Sequence, residues 1–368
     1  MNLKTLREYF FSVVKDLKTE TDAPIADRYL NSAYIEIYES FRWEQRKRDA
    51  NLLLIPKYTN GSCAVTAYDG SNEAAAKTVT FSGANLVSNM VGRSLKVGDS
   101  KFWHKIVAIS GDVAYLDTPI VDASGGNNAF IIWNRIHYLL SDVDVLLAMD
   151  QFSSGKLEFF SNNKLRDSVN DDSRSGNPYA YSPYGIDPYD DVSYETGMVS
   201  MAVDSNVITG TGTSWLSSGL GVGDVVEINS VSFYIKRIES DTRIVSFNHL
   251  SGTQISDSVY VGKKNNPVGF KFYGNADAYK IINYSYFAHA YPLVHETKDF
   301  MLFPPRAIPA IASRAIFFRM RDTSDPRMTT QLQIYTAELN SLKSQSPIIK
   351  PPYEQFSPKI PSFMPGRS

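Results

Sequence analysis

Cysteine is nearly absent from this chain. Of 368 residues only Cys63 is one, which excludes an internal disulfide framework and any zinc site built on thiolates. Histidine is scarce as well. His104, His137, His249, His289 and His295 are scattered, with no HExxH and no His-x-His pair, so neither a metal centre nor another cofactor site is expected. A charge excess of either sign is missing too. The formal net charge is −2, which supplies no overall basic field of the kind that drives nucleic-acid binding. No apolar run reaches the roughly 18 to 20 residues of a membrane span, since the richest stretch is cut by Arg314 and Arg319. The first residues, MNLKTLREYFFSVV, lack a continuous apolar core and a small-residue cleavage site. A soluble protein without a leader and without a membrane partner is expected.

What is present falls into three textures. At the start, Leu3, Leu6, Phe10, Val13, Val14 and Leu17 recur at helical spacing. Thr19 to Pro24 breaks the pattern, and a second helix to Phe41 would present Ile25, Tyr29, Ala33, Ile37 and Phe41, with Asp27, Arg28, Asn31 and Glu36 mostly outward. Near the end, Phe303 to Lys343 reads as another helical pair. Pro304 and Pro305 suit a helix start, and Ile308, Ile311, Ala312, Ala315 and Ile316 form one stripe. Asp322 to Pro326 supplies a turn, and Leu332, Tyr335, Leu339 and Leu342 form a second stripe. Two such helices cannot bury both faces alone, and the opposite end of the chain offers the partner.

From Ala50 to about Ile281 the pattern changes to short alternating apolar runs between Gly, Asn, Asp and Ser turns, which is the texture of β structure. An internal repeat lies within it, Val79 to Val121 and Val207 to Phe247. Val97-Gly98-Asp99 matches Val222-Gly223-Asp224, and Ile109 to Leu116 aligns without a gap to Ile238 to Val245, around Asp112 and Asp241. The repeat predicts two small related β-barrel or sandwich modules. Arg135 to Gly155, with Ile136, Leu139, Leu140, Val143, Val145, Leu146 and Leu147, fits a strand or a short helix.

The expected fold class is therefore α+β, a four-helix-type bundle built from both chain ends with two inserted small β-barrel or sandwich modules and an extended C-terminal arm. The expected division is 1–58 helical hairpin, 59–133 first module, 134–195 connecting region, 196–265 second module, 266–343 strand plus helices, and 344–368 tail.

Several stretches suggest contacts with other molecules. Between Asn170 and Glu195 the tyrosines Tyr179, Tyr181, Tyr184, Tyr189 and Tyr194 alternate with prolines, which fits an ordered loop that either makes an intersubunit or tail contact or packs over a module. Asp187, Asp190, Asp191 and Glu195 match no EF-hand spacing. The cluster Arg42, Arg46, Lys47 and Arg48 follows the second helix, as a solvated helix end or as a basic surface facing a channel or partner. Beyond Ser344 the prolines rule out a helix, while Ile348, Ile349, Tyr353, Phe356, Ile360 and Phe363 are too many large apolar side chains for an idle tail and suggest a docking arm. Thr209-Gly210-Thr211-Gly212-Thr213 lacks the Gly-Lys-Ser/Thr ending of a phosphate loop, and there is no Gly-x-Ser-x-Gly elbow, so no enzyme is expected.

The order of features resembles head-to-tail adaptor (connector) proteins of tailed bacteriophages. The features are the helical pair, Phe41-Arg42-Trp43, a β insertion, the strand KIINYSYFAHAYPLV, Phe303-Pro304-Pro305 opening a helix, a Thr323-Ser324-Asp325 turn, and a last helix with an extended tail. GTGTSW and VGD are similar to β domains of phage virion proteins. The resemblance implies a homo-oligomeric ring, usually of twelve copies, around the DNA channel. It implies that Ile348, Ile349, Tyr353, Phe356, Ile360 and Phe363 dock on a portal protein, with tail nozzle or fibre proteins as further partners. The place implied is the neck of the virion, after synthesis in the host cytoplasm, with genomic DNA only in non-specific proximity. The alternative is a tail fibre or carbohydrate-binding virion protein, with Trp103, Trp215 and tyrosines stacking on sugars.

Overall fold

The computed structural model describes residues 2–14, 22–87, 90–151, 155–159, 175–185, 193–265, 269–299, 301, 303 and 305–345. The helices of the two chain ends share one core. In α1 (Leu3–Val13) the Asn2 side chain accepts the Thr5 amide at 3.1 Å, and Leu3, Leu6 and Phe10 turn inward. Helix α2 (Ala23–Ser40) carries a proline in its first turn and buries two rows, Ala26–Tyr29–Ala33–Ile37 and Leu30–Tyr34–Tyr38. After a short helix α3 (Glu73–Ala76) inside the β region, α4 (Ile308–Asp322) and α5 (Met328–Gln345) complete the layer. Ser324 in the left-handed region and the Arg327 amide bonded to Asp325 Oδ1 set the turn between them. Phe303 fastens the ends to each other, because its ring meets Tyr34, Tyr38 and Trp43 edge to face at 6.3, 5.4 and 5.3 Å. Three residues of the expected stripes point elsewhere, the first being Val13, 53% exposed at the end of α1. Ile25 and Leu332 are exposed, and Leu30 and Gln331 occupy the inward positions, one row around each helix.

The expected fold class is nevertheless overturned. Among the described residues 38% are strand and 25% helix, and the helical core is one of four. The chain is mainly β. What sequence reading missed is a central β sandwich whose strands come from distant segments. Its first sheet orders Lys47–Leu54, Lys280–Ala288, Val143–Gln151 and Gly155–Lys156, and its second orders Glu158–Phe159, Ala180–Gly185, Gly269–Tyr273 and His137–Tyr138. Ile282, Tyr284, Tyr286, Met149, Tyr181, Phe270 and Phe272 fill the space between the sheets. The described residues of the stretch Arg135 to Gly155 thus contribute strands, with no helix among them.

The two repeat copies have one strand order. Module 1 runs Gly125–Asn128, Ser62–Val65, Thr78–Ser82, Val113–Leu116, His104–Ser110, Ser94–Val97, Phe130–Trp133. Module 2 runs Ile255–Ser258, Met198–Met201, Val207–Thr211, Arg243–Ser246, Val231–Ser240, Val225–Ile228, Tyr260–Lys263, and adds Ser193–Tyr194. In each, a break at Ala129 or Val259 lets the last segment pair with both edges of the sheet, which curls it toward closure and leaves less edge open.

The structure shifts the repeat register at one place. Val97-Gly98-Asp99 follows its strand, whereas Val222-Gly223-Asp224 precedes the equivalent strand. The true counterparts are Gly92-Arg93 and Gly223-Asp224. Gly92 N–H donates to Ile106 O and Gly223 N–H to Ile235 O, both at 2.8 Å, and both glycines have positive φ, 85° and 88°. A Cβ on Gly92 would meet open space, while one on Gly223 would fall on the backbone nitrogen of Asp142. Gly92→Ala is therefore expected to cost only the left-handed strain of about 1–2 kcal/mol. Gly223→Ala should cost clearly more, because module 2 must move off the sandwich, and urea denaturation of the two variants measures the difference.

Candidate functional site

The densest group of buried charges lies where α2, the sandwich and module 2 meet. Its logic begins with two doublets at strand spacing, Arg46 and Arg48 against Asp142 and Asp144. Arg46, 1% exposed, forms an ion pair with Asp144 and donates to the carbonyls of Glu39, Phe41 and Ala288 at 2.8, 2.9 and 3.2 Å. Its guanidinium also lies over the rings of Tyr38 and Phe287, at 5.3 and 5.5 Å. Arg48 donates to Asp142 Oδ2 at 2.9 Å, and the Tyr286 hydroxyl donates to the same carboxylate at 3.0 Å. The backbone carbonyl of Asp142 accepts the His289 amide, so one fully buried residue ties the start of the sandwich strand Val143–Gln151 to the end of Lys280–Ala288. Burial pushes the Asp142 carboxyl up against the opposing pull of Arg48 and Tyr286, and the Tyr286 hydroxyl is pushed up further still, by burial first and Asp142 second.

One residue earlier, the Ser141 hydroxyl donates to Asp224 Oδ1. Asp224 is fully buried and also holds Lys264 Nζ at 2.9 Å and the amides of Gly221 and Asn265 at 2.7 and 3.1 Å. This is the residue that follows Gly223, so the elbow of module 2 is seated directly on the sandwich. A second clamp joins module 2 to the segment leading to α4. Asp299 accepts the His249 and His295 amides at 2.8 Å. His295 Nδ1 accepts the Thr297 and Lys298 amides, so its Nε2–H donates to Asp204 at 2.7 Å. On the helical side, His289 Nδ1 lies 2.9 Å from Glu39 Oε1. Burial favours the neutral form of each partner, but their hydrogen bond and charges prevail, holding Glu39 below and His289 above their usual ranges.

The residues singled out from sequence scatter across the molecule. Of the basic cluster, Arg46 and Arg48 are turned inward and neutralised, Arg42 is half-buried and only Lys47 is exposed, so the four do not form one basic surface. Tyr179 is 41% exposed, but Tyr181 is a core residue of the sandwich with its hydroxyl pushed up to about 12 by burial. The Tyr184 side chain and Tyr189 lie outside the described residues. So do Ile348, Ile349, Tyr353, Phe356, Ile360 and Phe363, and Asp187, Asp190 and Asp191. Trp215 is fully buried with its indole N–H donating to Tyr260 Oη at 3.0 Å, which withdraws it from any sugar-stacking role, whereas Trp103 is half-exposed. Cys63 is buried, and burial pushes its thiol up to about 11, so it stays protonated. Among the described residues no group of three or more His, Cys, Asp or Glu side chains is placed to hold a metal ion, and no helix is long and apolar enough to cross a membrane.

This arrangement is a joint. Its charges are spent on one another, and what it does chemically is to fix the helical layer, the sandwich and module 2 in one orientation. Sequence reading missed Glu39, Asp142, Asp144, Asp224, Tyr286 and His289. The signal available was the matching two-residue spacing of Arg46/Arg48 and Asp142/Asp144. No protein-family model matches the chain, and no curated protein matches it.

Asp142→Ala should strand Arg48 and Tyr286 in the interior and cost about 3–5 kcal/mol in urea unfolding. The Glu39–His289 pair makes a signed pH prediction. The Glu39 contribution is present above its ordinary value of 4.5 and is lost as pH falls through its lower folded value. The His289 contribution is present below its ordinary value of 6.5 and is lost as pH rises through its raised folded value. His289→Gln should therefore lower the urea midpoint at pH 5.5 and leave it nearly unchanged at pH 9.

Proposed function

We propose that the chain is a structural virion protein, a head-to-tail adaptor that forms a ring on a portal protein and joins capsid to tail around the DNA channel. The single observation that carries this reading is the shared core of the chain ends. Leu3, Leu6, Phe10 and the buried face of α2 pack with Phe303, Ile311, Ala315, Tyr335 and Leu339, so the two ends of the chain meet in one helical core beside the β units. That organisation matches the order of features by which the sequence resembles such adaptors. Helix α5 ends at Gln345, and the proline-rich segment 346–368 follows it in the sequence. In this reading the helices are the staves of the ring and residues 346–368 dock on the portal. The modules and the sandwich project to receive nozzle or fibre proteins. Many weak contacts repeated around the ring add through multivalency. The near-neutral net charge of −2 suits a lumen through which DNA must pass.

Carbohydrate binding by a fibre has less support, since Trp215 serves the core of module 2. The adaptor reading is tested by a chain ending at Gln345. Far-UV circular dichroism and the melting temperature should be unchanged, while co-sedimentation with portal particles is lost. Attachment equal to that of the full chain would remove the proposed role of residues 346–368.

A further inference from the structure

The two modules share one scaffold but differ sharply at one place on it. The equivalence follows from strand pairing. Lys96 faces Ile131 as Glu227 faces Val261, and Trp133 faces Ser94 as Lys263 faces Val225. His104 pairs with Leu95 as Phe233 pairs with Val226, so Trp103 corresponds to Ser232. Tyr58 bridges to Ile132 as Tyr194 pairs with Gly262, which sets Lys57 opposite Ser193. Counting on from Trp133 and Lys263, Arg135 corresponds to Asn265.

In module 2 this place is an ordinary surface, with a Lys263–Glu227 ion pair at 2.9 Å beside serines and Asn265. In module 1 it holds two tryptophans and three cations. The Trp103 and Trp133 rings lie 5.9 Å apart, tilted by 58°. Arg135 lies over Trp103 at 4.8 Å, Lys96 over Trp103 at 5.9 Å and Lys57 over Trp133 at 4.7 Å. Among the described residues neither Lys96 nor Arg135 is paired with a carboxylate. Phe102, next in the chain to Trp103, is 52% exposed. Packing alone does not call for this, since module 2 closes the same scaffold without it.

The chemistry of the patch selects its ligand. Ammonium, guanidinium and indole N–H groups only donate, so the five side chains offer no acceptor to a sugar hydroxyl, whereas phosphate oxygens only accept. The exposed Phe102 and half-exposed Trp103 beside fixed cations, with Trp133 buried beneath them, suit unpaired bases stacked along a phosphate backbone, and a duplex hides the base faces. We propose that the Trp103–Trp133 face of module 1 binds single-stranded nucleic acid, with Lys96 and Arg135 on phosphates and Phe102 and Trp103 stacking on bases. The proposal is independent of the adaptor reading, because the isolated chain suffices to test it.

The test is fluorescence anisotropy of an end-labelled oligothymidine of about 20 nucleotides titrated with the full chain. The expected result is saturable binding with a log–log salt slope of about −1.4, from two phosphates neutralised at about 0.7 each. The double charge reversal Lys96→Glu/Arg135→Glu should weaken it by more than tenfold, Trp103→Ala by about tenfold, and the module 2 change Glu227→Ala/Lys263→Ala not at all. Photocrosslinking of a bromodeoxyuridine oligonucleotide to the unmodified chain provides a measurement that no misfolded variant can blur, and it should label the peptide containing Phe102 and Trp103. The proposal is overturned by absence of salt-sensitive binding, by crosslinks that lie only elsewhere, or by charge-reversed protein that binds equally well. An acidic polysaccharide such as heparin binding more tightly, with the same dependence on Lys96 and Arg135, would overturn it too and assign the face to anionic glycans.

Discussion

A carboxylate with no exposure to solvent is tolerated only where its surroundings replace water, and Asp142 is such a group. Arg48 and the Tyr286 hydroxyl bond its side chain, its carbonyl takes the His289 amide, and its backbone nitrogen is the atom against which Gly223 has no room for a Cβ. Three units of the protein therefore meet within a residue or two of one position. Arg46 reaches from the end of α2 to Asp144, and Ser141 reaches to Asp224 in the module 2 elbow. A buried pair of this kind contributes little net stability compared with a well-packed apolar contact, yet removing one partner is expensive. Its effect is to make one relative orientation of helices, sandwich and module 2 far better than its neighbours.

The repeat shows how the same scaffold takes different roles. Both modules close their sheets with a final segment broken near its middle, and both seat a left-handed glycine before the strand that carries the turn. Where they differ, the differences are local and chemical. Asp224 docks module 2 on the sandwich, while its counterpart Arg93 is a buried cation in module 1. An ion pair in module 2 corresponds to tryptophans beside Lys57, Lys96 and Arg135 in module 1. The two modules share their strand order and core, and they differ at two local places, the buried Asp224/Arg93 position and the patch of Trp103 and Trp133.

Much of the helical layer was legible in the sequence because helical periodicity is local. Leu3, Leu6 and Phe10, or Ile311 and Ala315, declare a buried face within three turns of one another. The hairpins of the modules were legible for the same reason, around Asp112 and Asp241. The sandwich was not, since its core joins Leu54, Met149, Tyr181, Phe272 and Tyr284, and no local pattern encodes pairing over such separations. That is why the chain looked like a helical bundle with insertions when it is mainly β. The basic cluster misled for a related reason. Arg46 in isolation reads as a surface cation, and only the pairing of Lys47–Leu54 with Lys280–Ala288, itself paired with Val143–Gln151, brings it to Asp144. Trp215 looked exposed because it follows a Gly/Thr turn, although a 3₁₀ turn tucks its ring under Tyr260.

The functional account rests on the helical core shared by the two chain ends and on the proposal that copies of it assemble on a portal. Native mass measurement of the full chain, alone and after mixing with portal particles, tests this most directly. The account predicts small species for the chain alone and a large closed ring of many copies on the portal. A stable trimer in isolation that ignores the portal would contradict it.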